Sequence, residues 1–184
     1  MTKMFNQAME MVFGSEGTWS DHPMDRGGKT MLGITLGTLK RVRAPESIST
    51  QDLRDLSVEQ AIEIYQEHYW QPIVDMKLPP ALTVMVFDMH VNSSKAVQLL
   101  QKTIKTTADG HWGPKSKAKL TASLKKYGEQ SLLYEYSARR AVHYATQWNF
   151  VVFGLGWMRR IFHTLVVASS FVTTPSKKEN KDGD

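Results

Sequence analysis

Glu16 stands where the apolar stripe of a helix should continue. Phe5, Ala8, Met9, Val12 and Phe13 recur at steps of three and four, which marks one face of an amphipathic helix turned toward a core. The next place on that stripe is position 16, and it holds a carboxylate. Gly17 follows, a residue suited to ending a helix in a left-handed cap. Two effects then act on Glu16 in one direction. Partial desolvation disfavours the charged form, and so does the negative end of the helix dipole. Both raise its pKa, as a general acid working near neutral pH requires. The plain alternative is a surface glutamate that closes the helix and bends out to solvent. Two more carboxylates, Asp21 and Asp25, follow in a segment rich in Gly, Asp and Pro.

The elements that must position these groups are mostly helical. Gly27-Gly28 signals a turn, and KTMLGIT is expected to form a short hairpin strand. A helix is expected from about Thr35 to Val42, then a loop around Pro45. Ser57 and Gln60 form a capping box that opens the helix VEQAIEIYQEHYW, with Ala61, Ile64, Tyr65, His68 and Tyr69 on one face and Pro72 just beyond. Ala81 to Val91 is apolar nearly all round and reads as a central buried helix, with Asp88, His90 and Asn92 as its polar exceptions. Further helices are expected over about 94–104, from Pro114, over about 128–146, and from near Trp157 to Ser170.

The chain has 184 residues and no cysteine, so disulfides and thiolate metal sites are excluded. Its formal charge of +5 suits a polyanionic partner, either nucleic acid or an acidic wall polymer. The N-terminal segment is polar and amphipathic, unlike a leader peptide. Val151 to Val172 is interrupted by Arg159, Arg160 and His163, so no stretch is expected to reach the ~18–20 apolar residues of a membrane span. The closing SKKENKDGD is expected to be disordered.

Taken in order, several blocks resemble the glycoside hydrolase family 108 muramidases. These carry E-G-G-Y followed by D-x-G-G-x-T-x-x-G-I-T. Here the first block is Glu16-Gly17-Thr18-Trp19, and the second runs from Asp25 through Gly27-Gly28 and Thr30 to Gly33-Ile34-Thr35. IYQEHYW, VFDMHVN and LLQ are similar to later blocks. DGHWGPKS and GWMRR resemble the start and end of the C-terminal helical module that accompanies the family and is taken to bind peptidoglycan. A looser likeness to phage-type lysozymes lies in Glu16 and Asp25, with eight residues between them, and Thr30 beyond. The resemblance implies a mainly α, lysozyme-like helical fold with a small β-hairpin beside the catalytic cleft. It implies a catalytic region at 1–93, a peptidoglycan-binding-like module at 94–172 and a tail at 173–184.

Glycoside hydrolysis needs an acid for the leaving oxygen and a carboxylate that activates water or attacks the sugar. Under the resemblance, Glu16 is the acid. Asp25 or Asp21 is the second carboxylate, with Asp25 preferred, although Asp also serves as a turn former. Thr30 either positions a water or is an ordinary strand residue. Trp19 keeps the aromatic ring of the family motif for packing or sugar stacking. Asp21 and His22 are expected to line the cleft. Asn92 binds an N-acetyl group or caps its helix. Trp112 is expected to be exposed and available to a glycan. No metal or other cofactor is implied.

The expected activity is cleavage of the β-1,4 bond between N-acetylmuramic acid and N-acetylglucosamine in peptidoglycan strands. The expected protein is a monomeric phage endolysin without stable membrane insertion, held in the host cytoplasm before lysis. A lytic transglycosylase, or a non-catalytic peptidoglycan-binding protein, is the alternative. Nucleic-acid binding rests on charge alone and is not expected.

Overall fold

A computed structural model describes residues 2–15, 19–21, 28–43 and 48–172. Helix α1 (Lys3–Ser15) forms as its period predicts, with Phe5, Ala8, Met9 and Val12 buried. Three short strands follow: β1 (Trp19–Ser20), β2 (Thr30–Met31) and β3 (Ile34–Thr35). They form one antiparallel sheet in the order β1-β2-β3. The expected hairpin is therefore present, with an extra strand, β1, on its edge. Its turn is Leu32-Gly33, and both residues have positive φ (52° and 76°). A two-residue turn of that hand matches the twist of the strands, but it holds Leu32 where a side chain is disfavoured.

Thr35 caps α2 (Leu36–Val42), its hydroxyl accepting from the Thr38 amide at 3.0 Å. Helix α3 (Thr50–Arg54), unforeseen from the sequence, opens with a reciprocal capping box between Ser49 and Asp52. Ser57 and Gln60 make the expected box at the start of α4 (Val58–Tyr65). The sequence expectation fails at the end of this helix. A π-helical turn, Gln66–Trp70, carries it into α5 (Gln71–Val74), with Pro72 inside the first turn. The wide turn shifts the phase of the buried face. His68, expected on that face, is exposed, whereas Trp70 is buried. Trp70 packs between Phe5 and Phe87, with ring centroids 5.3 and 5.0 Å away.

Helix α6 (Pro80–Asn92) is the axis, with Ala81 through Met89 all buried. Around it lie α7 (Ala96–Thr103), α8 (Pro114–Tyr127), α9 (Glu129–Ala145) and α10 (Phe150–Ser169). One continuous apolar core runs from Phe5 to Ala168. Helix α10 begins well before Trp157, the expected start, because Gly154 and Gly156 are carried within the helix despite their low propensity. It also corrects the reading that nothing approaches a membrane span. Its best window has a mean hydropathy of 1.4, long and apolar enough to cross a bilayer by length and composition. Trp112, expected in solvent, is half-buried, and its indole N–H donates to the Met76 carbonyl at 3.1 Å.

A buried ion cluster joins α6, α9 and α10. The Asp88 carboxylate accepts from Arg140 Nη2, from Arg160 Nε at 2.8 Å and from the Thr164 hydroxyl at 3.0 Å. Asp88 and Arg140 are fully buried. Burial alone pushes the carboxyl up, but Arg160 and Arg140 together outweigh it and hold it below its ordinary range. The Asp88→Asn variant leaves two buried guanidinium groups without their counter-charge, and is expected to lose about 3–5 kcal/mol of stability at neutral pH. The folded-state pKa is depressed, so the ionised group's contribution is full above about pH 4, the unfolded value. It is lost as pH falls through the folded value. Denaturant unfolding across this acid range checks both points: the variant is less stable at neutral pH, and its stability falls less steeply with acid.

Candidate active site

Glu16, His22 and Asp25 lie outside the described residues. Glu16 is the next residue in the chain after Ser15, the last residue of α1. The described frame around that point is built on aromatic contacts. Phe13, in the last turn of α1, meets Tyr65 edge-on with centroids 6.1 Å apart. The Tyr65 hydroxyl donates to the Leu32 carbonyl at 3.0 Å. One buried tyrosine of α4 thus ties the end of α1 to the strained hairpin turn.

The sheet presents a row of hydroxyls. Ser20 pairs with Thr30, and Thr30 with Thr35. Residues directly opposite in an antiparallel sheet share a face, so the three side chains stand side by side. Thr30 is buried within this row. The row continues into the helices: the Thr35 hydroxyl donates to Thr38 Oγ1 at 3.0 Å, and Thr38 Oγ1 shares a hydrogen bond with the Tyr69 hydroxyl at 3.3 Å. Tyr69 in turn packs on His90, with ring centroids 5.7 Å apart. Burial lowers the His90 pKa, so the ring stays neutral near neutral pH and can donate at one nitrogen and accept at the other.

The remaining expected residues border this frame. Trp19, on β1, is half-buried, with the Arg54 guanidinium 4.4 Å above its ring. One ring face is therefore occupied by a cation–π contact. Asp21 is exposed, its carboxylate 4.0 Å from Lys29 Nζ. Asn92 ends α6 and donates from Nδ2 to the Asp88 carbonyl at 2.6 Å, which leaves its side-chain oxygen as an acceptor. Ser20, Thr35, Thr38, Tyr69 and His90 are the polar groups that sequence reading did not assemble. Ser20 and Thr35 are joined through Thr30 by strand register, which only the G-I-T run hints at, and Thr38, Tyr69 and His90 join them by contacts between helices.

Residues 9–94 match the family described as glycosyl hydrolase 108. SagA of Brucella abortus, a solved structure, is 31% identical with a TM-score of 0.81, over 92% of this chain and 96% of that one. The chain belongs to the glycosyl hydrolase 108 family. No curated protein matches it. Membership makes it a glycoside hydrolase whose substrate is a glycan. The matched span of this hydrolase contains every expected site residue, from Glu16 to Asn92. The likeness to SagA runs on through most of the helices beyond it.

The hydrolase has a further cleft of about 450 Å³ between α7 and α9, bordered by Lys102, Glu135, Arg139 and His143. Ser93, just past α6, lies 3.4 Å from His143 Nε2. Burial, then Lys95 and Lys102, lower the His143 pKa. Among the described residues no group of three potential metal ligands occurs.

Two outcomes follow from the frame. The Tyr65→Phe variant removes the hydroxyl that satisfies the Leu32 carbonyl, and is expected to lose about 1 kcal/mol of stability, read by denaturant unfolding. His90 is expected to titrate below 6.5, its ordinary value. Its contribution to stability is then full above that value and is lost as pH falls through the lower folded-state pKa. An NMR titration of the ring protons reads this directly.

Proposed function

We propose that this glycoside hydrolase is an N-acetylmuramidase that cleaves the β-1,4 bond between N-acetylmuramic acid and N-acetylglucosamine in peptidoglycan. The observation that carries the reading is the match of residues 9–94 to glycosyl hydrolase 108, the span that holds the Glu16, Asp25 and Thr30 pattern. In the sequence Glu16 continues the apolar stripe of the first helix and precedes Gly17, and a carboxylate in the last turn of a helix has its charged form disfavoured. Glu16 is the general acid that protonates the leaving oxygen. Asp25 is the second carboxylate, and Thr30 positions water from the hydroxyl row of the sheet. Trp19, Asp21 and His22 line the cleft. Asn92 offers its free carbonyl oxygen to the N–H of an acetamido group.

In this reading the enzyme acts as a monomer on wall glycan strands during phage-induced lysis and is held in the host cytoplasm beforehand. The helices after Asn92 form a wall-binding module. The net charge of +5 favours an acidic wall over a neutral polysaccharide.

Digestion of purified peptidoglycan by wild type and Glu16→Gln, with mass spectrometry of the products, tests the reading. Wild type is expected to release reducing N-acetylmuramic acid ends. The variant is expected to be slower by about a hundredfold or more, because a positioned acid contributes that much. Anhydro-muramyl ends would assign the enzyme as a lytic transglycosylase. Binding to the wall without soluble product from either protein would leave a binding module only.

A further inference from the structure

Helix α10 is built inside out. The side chains it buries are Gly154, Arg160, Ile161, Thr164 and Ala168. Two of these five are polar, and both hydrogen-bond to Asp88. Its exposed side carries Val151 (94% exposed), Leu155 (66%), Phe162 (65%) and Val166 (70%). Steps of four, seven and four keep these on a single stripe of a helix, and at ~1.5 Å per residue the stripe is about 22 Å long. Val152 widens it, and Trp148 is exposed just before the helix begins. Arg159 and His163 are exposed along one border. Only 22% of the helix's most apolar window is buried inside the fold. Apolar patches of this kind mark contact surfaces.

We infer that this face of α10 docks on an anionic lipid bilayer, lying in the interface without crossing it. Arg160 decides against crossing, because its side chain is held in the core by Asp88 and a transmembrane path would pull that ion pair apart. A helix with Phe, Leu and Val on one side and Arg beside them is suited to the boundary between headgroups and acyl chains. Charge chooses the occupant. The chain carries +5, which attracts an anionic surface and opposes a second copy of itself. The chain's own tail, TTPSKKENKDGD, has no large apolar side chain with which to cover the stripe. The inference is independent of which glycosidic bond the enzyme cleaves.

The test is flotation of the full chain with vesicles of phosphatidylglycerol and phosphatidylethanolamine, compared with phosphatidylcholine alone. Wild type is expected to float with the anionic vesicles and only weakly with the neutral ones. The double variant Leu155→Glu/Phe162→Glu is expected to bind the anionic vesicles at least about tenfold more weakly, since two anchors are replaced by charges. Both positions are exposed, so its melting temperature should match wild type. Absence of flotation by wild type, or equal flotation by the variant, overturns the inference. Sedimentation velocity covers the competing occupant. A dimer broken by the same double variant, without vesicle binding by wild type, assigns the face to a second copy and overturns it as well.

Discussion

The Asp88 cluster is the constraint on which the rest of this hydrolase depends. A carboxylate at full burial is untenable alone, because desolvation opposes its charge. Here it is held by two guanidinium groups and a hydroxyl, each from a helix other than its own. The three helices α6, α9 and α10 must therefore meet at one depth and one rotation. Helix α6 also packs against α1, so the same fixed axis orients the helix whose end leads into Glu16. The cluster is not a simple gain in stability, because buried ion pairs seldom exceed what apolar packing gives. Arg140 Nε and Nη1 lack hydrogen-bond partners among the described residues. Its consequence is register. An apolar α6 could slide or rotate among apolar neighbours with little penalty, whereas one paired charge cannot move without leaving others unpaired.

A second constraint sets the sheet. Among the described residues the sheet has six strand residues in three strands, too few to be stable alone. The sheet is held from outside, by Tyr65 on its turn carbonyl, by Arg54 on Trp19, and by Thr35 serving as both strand residue and helix cap. The same contacts form the polar frame. The hydroxyl row of Ser20, Thr30 and Thr35 is thus set by the pairing that keeps the sheet folded. Its geometry can serve chemistry because tertiary contacts fix it rather than local propensity.

Much of this was legible in the residues. The stripe of α1, the capping box at Ser57 and Gln60, and the apolar run of α6 each follow from local rules, and each formed as expected. What escaped has physical reasons. Strand β1 is two residues long and is defined by its partner, so no period reveals it. The π-helical turn adds a residue to one turn, which breaks the 3.6 period and exchanges His68 for Trp70 on the buried side. The capping box of α3, Ser49 and Asp52, was readable but opens a helix too short to show a stripe. At the site, single residues such as Thr30, Trp19 and Asn92 could be picked out by type. Their neighbours Thr38, Tyr69 and His90 come together through packing between segments far apart in the chain. Trp112 departs from the expected exposure because a residue in a turn need not face solvent, and its ring reaches back to Met76.

Helix α10 shows what the Asp88 cluster does to a neighbouring helix. Periodicity reasoning assigns the apolar stripe of a helix to the core, and for α1 that is correct. For α10 it points the wrong way. Once Arg160 and Thr164 are drawn inward to Asp88, residues half a turn away must face out, and these are Leu155, Phe162 and Val166. The orientation of the helix was decided by a single buried charge on another helix, not by the hydropathy of its own sequence. A paired charge in a dry core is strongly directional, whereas apolar burial is non-directional and roughly additive in area. Where the two conflict, the directional interaction sets the rotation, and the apolar side chains are left on the surface for whatever apolar medium the molecule meets.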